Sequence, residues 1–580
     1  MDFLKNLLAS VMGFFIACTI ILFSVILIAF FVGQEEEIVV KPNSVLKISL
    51  EAVVKDYSPK SLDPFDDVFG KNDDFIGLNA IKIAIENAKH DPNIKGVSIE
   101  TKSLSAGMTQ IKSIRESLES FKESGKFVMA YGDGYTQSAY YLNSVADSVF
   151  LSPMGAVEFK GLSIETLFFK DFQDKYGLKM EVIRHGKYKS AVEPYLENEM
   201  SASNRLQLKE LINSIWKEVL ADVSKSRDVS KENLNMIADD LKGRNALSAK
   251  EYSLIDDVIY RDIYDQKLLN LVGNEFSNIP LMDYINSGKG KKFNSAKDKI
   301  AVIYAQGEII YGKGDENYVG QELIINALKK ARKKSSIKAV VLRVNSPGGS
   351  ALASDLIWRE LELTKAEKPL IVSMGDLAAS GGYYIACNAH KIVAESSTIT
   401  GSIGVYGVMP NISEFSNKIG IHSDRVSTNT GGNYSVFQPM NEAYYEVTKE
   451  SVDNVYKSFV SKVAKGRGMT FDAVHEIAQG RVWTGAQAME NGLVDELGNL
   501  NDAIEIAAVE AGLTEYKTIN YPSYKKDIKE MLKDIPFVKS EISILKEWVG
   551  ESNFMLFKKL QDLKSSTGVQ ARLPFVYEIK

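Results

Sequence analysis

The chain repeats itself at a fixed offset of 243 residues. Ile94-Lys95-Gly96-Val97 lines up with Ile337-Lys338-Ala339-Val340, Gly132-Asp133 with Gly375-Asp376, and Tyr140-Tyr141 with Tyr383-Tyr384, all without a gap. A duplication on this scale predicts two lobes of like fold, and 580 residues leave room for several cores. The copies differ where chemistry is expected. The second reads Gly375-Asp376-Leu377-Ala378-Ala379-Ser380-Gly381-Gly382, and Gln137 stands opposite Ser380 in the first. The first carries Lys189 in Tyr188-Lys189-Ser190-Ala191, opposite Gly432. One half offers a candidate serine nucleophile, the other a candidate lysine base, and neither has both.

Each copy opens on a strand-like segment, Ser44 to Leu50 and Ile300 to Tyr304. In the first, a helix-spaced apolar set follows (Ile111, Ile114, Leu118, Phe121), then the short strand Phe127 to Ala130. Strand, helix and strand in succession predict parallel βαβ units and an α/β lobe. Leu206 to Val223 and Tyr445 to Val463 read as helices, and the Gly/Ser/Asn/Lys-rich stretch from Asn286 to Lys297 reads as a linker. The expected organisation is an N-terminal segment 1–40, a first repeat 41–290, a second repeat 295–515, and a C-terminal extension and tail 516–580.

A net charge of −6, with no Lys/Arg cluster interleaved with aromatics, argues against nucleic-acid binding. Two cysteines, Cys18 and Cys387, cannot make a disulfide framework. From Leu7 to Gly33 there is no charged residue, and a helix of that length reaches about 40 Å, enough to cross a bilayer. No small-x-small cleavage site precedes Gln34-Glu35-Glu36-Glu37, so the expectation is one uncleaved transmembrane helix ahead of the α/β lobes. Lys5 on the short side and three glutamates on the long side favour an inside N-terminus and an outside body.

Asn345-Ser346-Pro347-Gly348-Gly349 follows an apolar strand and precedes a helical run, so it reads as a glycine turn whose amides could face an oxyanion. Ser380 begins a helical segment, where a serine ordinarily serves as an N-cap. Its flanking glycines give a second reading, in which a substrate backbone comes close and the Gly381 amide joins Gly348 or Gly349 in stabilising a tetrahedral oxyanion. A nucleophilic serine needs a base. None of His90, His185, His390, His422 and His475 sits in a recognisable triad motif, which leaves both a histidine and a lysine open. For Lys189 to act near neutral pH, burial among apolar groups must lower its pKa with no carboxylate aimed at the amine, and Glu193 is only four residues on. Ser402, in Thr400-Gly401-Ser402-Ile403-Gly404, is either a turn former or a hydroxyl that holds the lysine in register. His475-Glu476 begins like a zinc signature, but Gln479 occupies the second ligand position, so no metal is expected.

At these motifs the chain resembles the long, duplicated signal peptide peptidase A (protease IV) family, within the Clp protease/crotonase-like superfamily. The likeness rests on Gly186-Lys187-Tyr188-Lys189-Ser190-Ala191-Val192-Glu193-Pro194, Asn345 to Gly349, Ala378-Ala379-Ser380-Gly381-Gly382-Tyr383-Tyr384 and Thr400 to Gly404, in family order. It implies an α/β fold of two tandem crotonase/Clp-like lobes and a serine endopeptidase without cofactor. By that resemblance Ser380 is the nucleophile, Lys189 the general base, Ser402 the group that positions it, and Gly348, Gly349 and Gly381 the oxyanion hole. It also implies a homotetramer anchored in a bacterial cytoplasmic membrane, digesting cleaved signal peptides on the outer side. A crotonase-type acyl-CoA hydrolase, a non-catalytic membrane scaffold and a cytoplasm-facing peptidase are the alternatives. The segment Val569 to Phe575, extended and apolar, is expected in or near the substrate groove of its own or a neighbouring subunit.

Overall fold

The structure, a computed structural model, describes residues 2–32, 38–58, 75–273, 276–291, 294–429, 434–524 and 569–572. Two parallel sheets, one per repeat, form its frame. In the first, Ser277–Pro280, Ser44–Ile48, Ile94–Ile99, Phe127–Gly132, Ser148–Leu151 and Asp257–Val258 lie side by side in that order. In the second, Lys517–Tyr521, Lys299–Gln306, Ile337–Ser346, Leu370–Ala379, Lys391–Ala394 and Glu496–Leu497 repeat the order. The outer strand Lys517–Tyr521 takes the place that Ser277–Pro280 holds in the first sheet, so the second lobe runs a few residues past the boundary expected at 515.

The sequence offset survives folding. Strands that begin at Ile94, Phe127 and Ser148 are answered by strands that begin at Ile337, Leu370 and Lys391. The helices Leu78–His90 and Met108–Lys122 are answered by Gln321–Lys333 and Ala351–Lys365. Even the pairing irregularity after the first residue of each opening strand recurs, at Ser44/Val45 and Lys299/Ile300. The pattern follows from burial. Ile111, Ile114, Leu118 and Phe121 form one wholly buried stripe on their helix, and Ala339 to Val344 are buried on both faces, as a parallel strand covered by helices requires.

A third sheet ties the lobes together. Its order is Tyr318–Gly320, Glu308–Ile310, Gly348–Ser350, Val569–Arg572, Val405–Asn411 and Lys179–His185. Lys179–His185 belongs by sequence to the first repeat, yet it pairs antiparallel with Val405–Asn411 of the second along its whole length, from His185 opposite Val405 to Lys179 opposite Asn411. The glycine turn expected at Asn345 to Gly349 is also resolved differently. The preceding strand continues to Ser346, and Gly348–Ser350 is a short strand of its own, with Ile309 on one side and Gln570 to Arg572 on the other. A neighbouring strand on each side satisfies backbone groups that a turn would have left to solvent.

Buried polar contacts fasten the lobes to each other. Arg343 of the second lobe donates to Asp56 Oδ2 at 2.8 Å, and Gln110 of the first donates to Asp56 Oδ1 at 2.9 Å. Asp376 Oδ1 accepts from the Thr109 amide (2.9 Å) and hydroxyl (3.0 Å). The second lobe thereby caps the helix Met108–Lys122, whose own N-cap residue, Gly107, has no side chain to do so.

The chain begins with a helix over Asp2–Val32. Gly33, the last residue of the expected span, and the side chains of 25–32 lie outside the described residues. Among the described residues no helix is long and apolar enough to cross a membrane, so the expected transmembrane helix is not part of the fold as described. The helix buries nothing against the lobes at Phe3, Phe14, Phe15 or Phe23, which are all exposed.

The cap across the lobes gives a direct test. Asp376→Ala leaves two buried donors of Thr109 without an acceptor and should cost about 1–2 kcal/mol, read as a lower urea midpoint with little change in slope. An unchanged midpoint would mean that the contact contributes nothing.

Candidate active site

Ser380 stands between the strand Leu370–Ala379 and the helix Gly381–Ala386, the place where a serine ordinarily caps. It does not cap. Its backbone is held at φ 55° and ψ −115°, and its hydroxyl makes no bond to the helix. A conformation of this kind costs of order 1–3 kcal/mol in a non-glycine residue. It is held in place by the Ser380 amide, which donates to Gly401 O at 2.8 Å, and by the Tyr384 amide, which donates to Ser380 O at 2.8 Å. The strained turn lifts the hydroxyl out of the helix and aims it at the other repeat.

What it meets there is Lys189. The Nζ atom lies 2.9 Å from Ser380 Oγ, 3.0 Å from Ser402 Oγ and 3.1 Å from the Ser402 carbonyl oxygen. All three side chains are wholly buried. Lys189 lies four residues beyond the end of the strand Lys179–His185, so the ladder with Val405–Asn411 carries its loop across to the second lobe, and Ser402 sits just ahead of that ladder. Burial alone holds the lysine's pKa well below its ordinary value. Glu193 does not oppose this. Its carboxylate is turned away, accepting from Ser201 Oγ at 2.6 Å and Asn204 Nδ2 at 2.9 Å at the start of the helix Ala202–Arg227.

The five histidines are engaged elsewhere. His90 meets Glu86, His185 meets Asp453, His390 accepts from the Leu370 amide, His422 meets Asn417 and His475 meets the Tyr456 hydroxyl. The histidine base left open by the sequence has no candidate beside Ser380. His475, the start of the zinc-like signature, is a partner of a tyrosine.

The candidate oxyanion glycines divide. Gly348 and Gly381 enclose the carbonyl oxygen of Ala571: a β-carbon on Gly348 would overlap that oxygen, and one on Gly381 would come within 3.0 Å of it. In this state the Gly348 amide donates to Ser346 Oγ at 3.2 Å. Gly349 pairs with Ile309 and lies one step further along the edge. The occupant itself is the strand Val569–Arg572, which pairs antiparallel with Gly348–Ser350 on one side and with Tyr406 and Gly407 on the other. Residues 573–580, including the rest of the expected segment, lie outside the described residues. Alongside runs a cavity of about 2550 Å3, bordered by Ser190, Pro347, Leu377 and Tyr406 near the lysine and serine and lined further out by Leu167, Phe169, Met180 and Trp216. Gln570 and Arg572 of the docked strand also line it, while Ser380, Lys189 and Ser402 themselves are closed off from it.

Three residues of the site were not marked for it by any motif. Gln479 accepts from the Tyr188 amide through its carbonyl at 2.8 Å. Gly480, at φ +83°, lies so close that a β-carbon would sit 2.7 Å from the backbone and Cβ of Lys189. Gln207 bonds to both sides of the lysine loop. Each acts across the two repeats, and contacts of that kind leave no period in the sequence.

Residues 120–273 and 362–514 match peptidase family S49, one stretch in each repeat, and residues 291–419 match Clp protease. Protease 4 of Haemophilus influenzae is 36% identical over 525 residues, which is 87% of this chain and 84% of that one. Protease 4 of Salmonella typhi is 36% identical over 484 residues, 80% of this chain and 78% of that one. The chloroplastic serine protease SPPA of Arabidopsis thaliana is 34% identical over 501 residues, 84% and 72%. With Clp-like lobes, a duplicated S49 region and relatives of this kind along most of its length, the chain belongs to peptidase family S49 and is a serine endopeptidase.

Proposed function

We propose that the chain is a membrane-anchored endopeptidase that uses a Ser380/Lys189 dyad to degrade cleaved signal peptides at a bacterial cytoplasmic membrane. The observation that carries the reading is the 2.9 Å approach of a wholly buried Lys189 Nζ to Ser380 Oγ. Burial lowers the pKa of Lys189 and so favours the unprotonated amine, the form that can accept a proton. Lys189 takes the proton of Ser380 Oγ as that oxygen attacks the scissile carbonyl carbon. The tetrahedral oxyanion forms where the Ala571 carbonyl oxygen now lies, between Gly348 and Gly381. As the C–N bond breaks, the Lys189 ammonium returns the proton to the leaving amine. Water then adds to the acyl-enzyme with Lys189 again as base, and Ser380 is regenerated. Ser402 Oγ, at 3.0 Å, holds the amine between the two steps.

The substrate reading rests on the groove. A peptide can add as a strand between Gly348–Ser350 and Tyr406–Gly407, the place now filled by Val569–Arg572, and the apolar channel beside it suits apolar segments. The uncharged run from Leu7 to Gly33, with the exposed Phe3, Phe14, Phe15 and Phe23, supports an N-terminal anchor through the bilayer, the body outside and the N-terminus inside. A homotetramer enclosing the sites is part of the same reading.

Three outcomes are expected. In hydrolysis of a fluorogenic apolar peptide, Ser380→Ala and Lys189→Ala each abolish turnover, and the wild-type rate rises with pH through one ionisation below the ordinary lysine value. An acyl-CoA hydrolase would not need Ser380, and activity in Lys189→Ala would move the base elsewhere. Lys189→Met should be inactive yet more stable than wild type at pH 7. Between the lowered folded pKa and the unfolded value near 10.5 the unfolded chain binds one more proton, so wild-type stability rises with pH there and the methionine variant escapes that loss. A lower melting temperature for Lys189→Met would contradict the buried neutral amine. Deletion of residues 565–580 should raise kcat/KM on small peptides, because it clears the strand from the groove, and unchanged kinetics would mean the strand does not compete with substrate.

A further inference from the structure

We propose that Gln207 is a positioning residue that locks the Lys189 loop of the first repeat to the Ser402 region of the second, and so sets the ionisation of the lysine. The inference rests on the Ser380/Lys189 reading above. Gln207 lies one turn into the helix Ala202–Arg227, and its side chain is almost wholly buried. Its Nε2 is 3.2 Å from the Tyr188 carbonyl, 3.1 Å from Ser190 Oγ and 3.1 Å from Asn204 Oδ1, while its Oε1 accepts from the Val482 amide at 3.3 Å. Tyr188 and Ser190 are the two chain neighbours of Lys189. Their carbonyl and hydroxyl on one side, with the Val482 amide on the other, fix which end of the Gln207 amide is which, because a carbonyl can only accept and a peptide N–H can only donate.

Val482 closes the segment that holds the other half of the site. Within it, Gln479 O accepts from the Tyr188 amide at 2.8 Å, the Gly480 amide donates to Ile403 O at 2.8 Å, and Arg481 O accepts from the Ser402 amide at 2.6 Å. One short stretch of the second repeat therefore touches both the lysine loop and the Ser402 turn, and Gln207 is the side chain that closes the frame. The same helix start explains the acid in the lysine motif. Glu193 is bonded to Ser201 and Asn204, and Asn204 Oδ1 is in turn beside Gln207 Nε2. The carboxylate reaches Gln207 only through Asn204, and the bonds of the Lys189 amine run to Ser380 and Ser402 instead.

Lysine deprotonation here depends on a dry, fixed cradle. Loosening the loop admits water, restores the ammonium and lengthens the approach to Ser380 Oγ. The test is kcat, KM and pH profile for Gln207→Leu, which removes both ends of the clamp, and Gln207→Glu, which keeps the acceptor for Val482 but sets a carboxylate against the Tyr188 carbonyl. Both should lower kcat by about 10- to 100-fold with KM little changed, and both should move the acid limb of the profile to higher pH. Thermal unfolding measured in parallel reports the folded fraction. A purely structural role predicts loss of activity in proportion to loss of folded protein with the acid limb unmoved, and that result overturns the proposal. So does failure of both variants to fold, which would make Gln207 a folding residue. If Lys189→Ala is active in the same assay, the dyad reading fails instead, whatever the Gln207 variants do.

Discussion

The ladder between Lys179–His185 and Val405–Asn411 makes the two repeats interdependent, because it is the route by which Lys189 enters the other lobe. A side-chain period of two makes such a register unforgiving. A slip of one residue would turn the side chains of Lys179–His185 to the opposite face and shift where the Lys189 loop leaves the ladder. The ladder alone leaves the loop beyond His185 free to swing, and the segment Gln479 to Val482 ends that freedom, with Gly480 close against the backbone of Lys189. The meeting of Lys189 with Ser380 and Ser402 is therefore a product of tertiary pairing. Neither repeat folded alone would contain it.

Much of this was legible in the chain. The 243-residue offset foretold which helices and strands would correspond, since equal spacing of buried positions gives equal elements. The motifs around Ser380, Lys189 and Ser402 named the three side chains that meet. Three features were not legible. The segment Gly348–Ser350 read as a turn because glycine pairs usually punctuate, and only the neighbouring strands make it extended. The strand Lys179–His185 belongs in sequence to the lobe it leaves. Gln207 carries no pattern, since a side-chain amide that bonds across two repeats is indistinguishable in sequence from one on the surface, and Gln479 acts through its backbone carbonyl. The orientation of Glu193 is illegible for the same reason: four residues of separation do not say which way a carboxylate points.

Beside the apolar cluster of Leu211, Ile215, Ala379, Ile399 and Val482, part of the contact between the lobes is polar and buried, which constrains alignment more than it stabilises. Arg343, Asp56, Gln110 and Asp376 leave few unpaired atoms, and an ion pair of this depth gains little over well-packed apolar groups. Its directional bonds do reject a shifted docking, because any shift strands a charge without water. Glu395 belongs to the same interface. Burial pushes its pKa up to about 8, so near neutral pH it is largely protonated beside Ser113 of the first lobe. Arg343 and Lys82 both favour its carboxylate, and burial outweighs them, so the interface holds a carboxylic acid.

The first repeat also shows what replaces a half-site once its partner supplies the other half. Gln137 occupies the position of Ser380, and its amide is tied at both ends, to Gly161 O at 2.8 Å and the Lys160 amide at 2.9 Å. Phe159 stands where Ser402 stands in the second copy and packs against Tyr140 and Trp216. Gly432, the counterpart of Lys189, lies outside the described residues. A serine at 137 would meet the phenylalanine instead of a hydroxyl and would have no lysine to activate it, so restoring the nucleophile alone could not restore a second site. The side-chain amide of Gln137 is satisfied by the backbone of its own lobe, and what that lobe delivers to the site is the buried amine of Lys189.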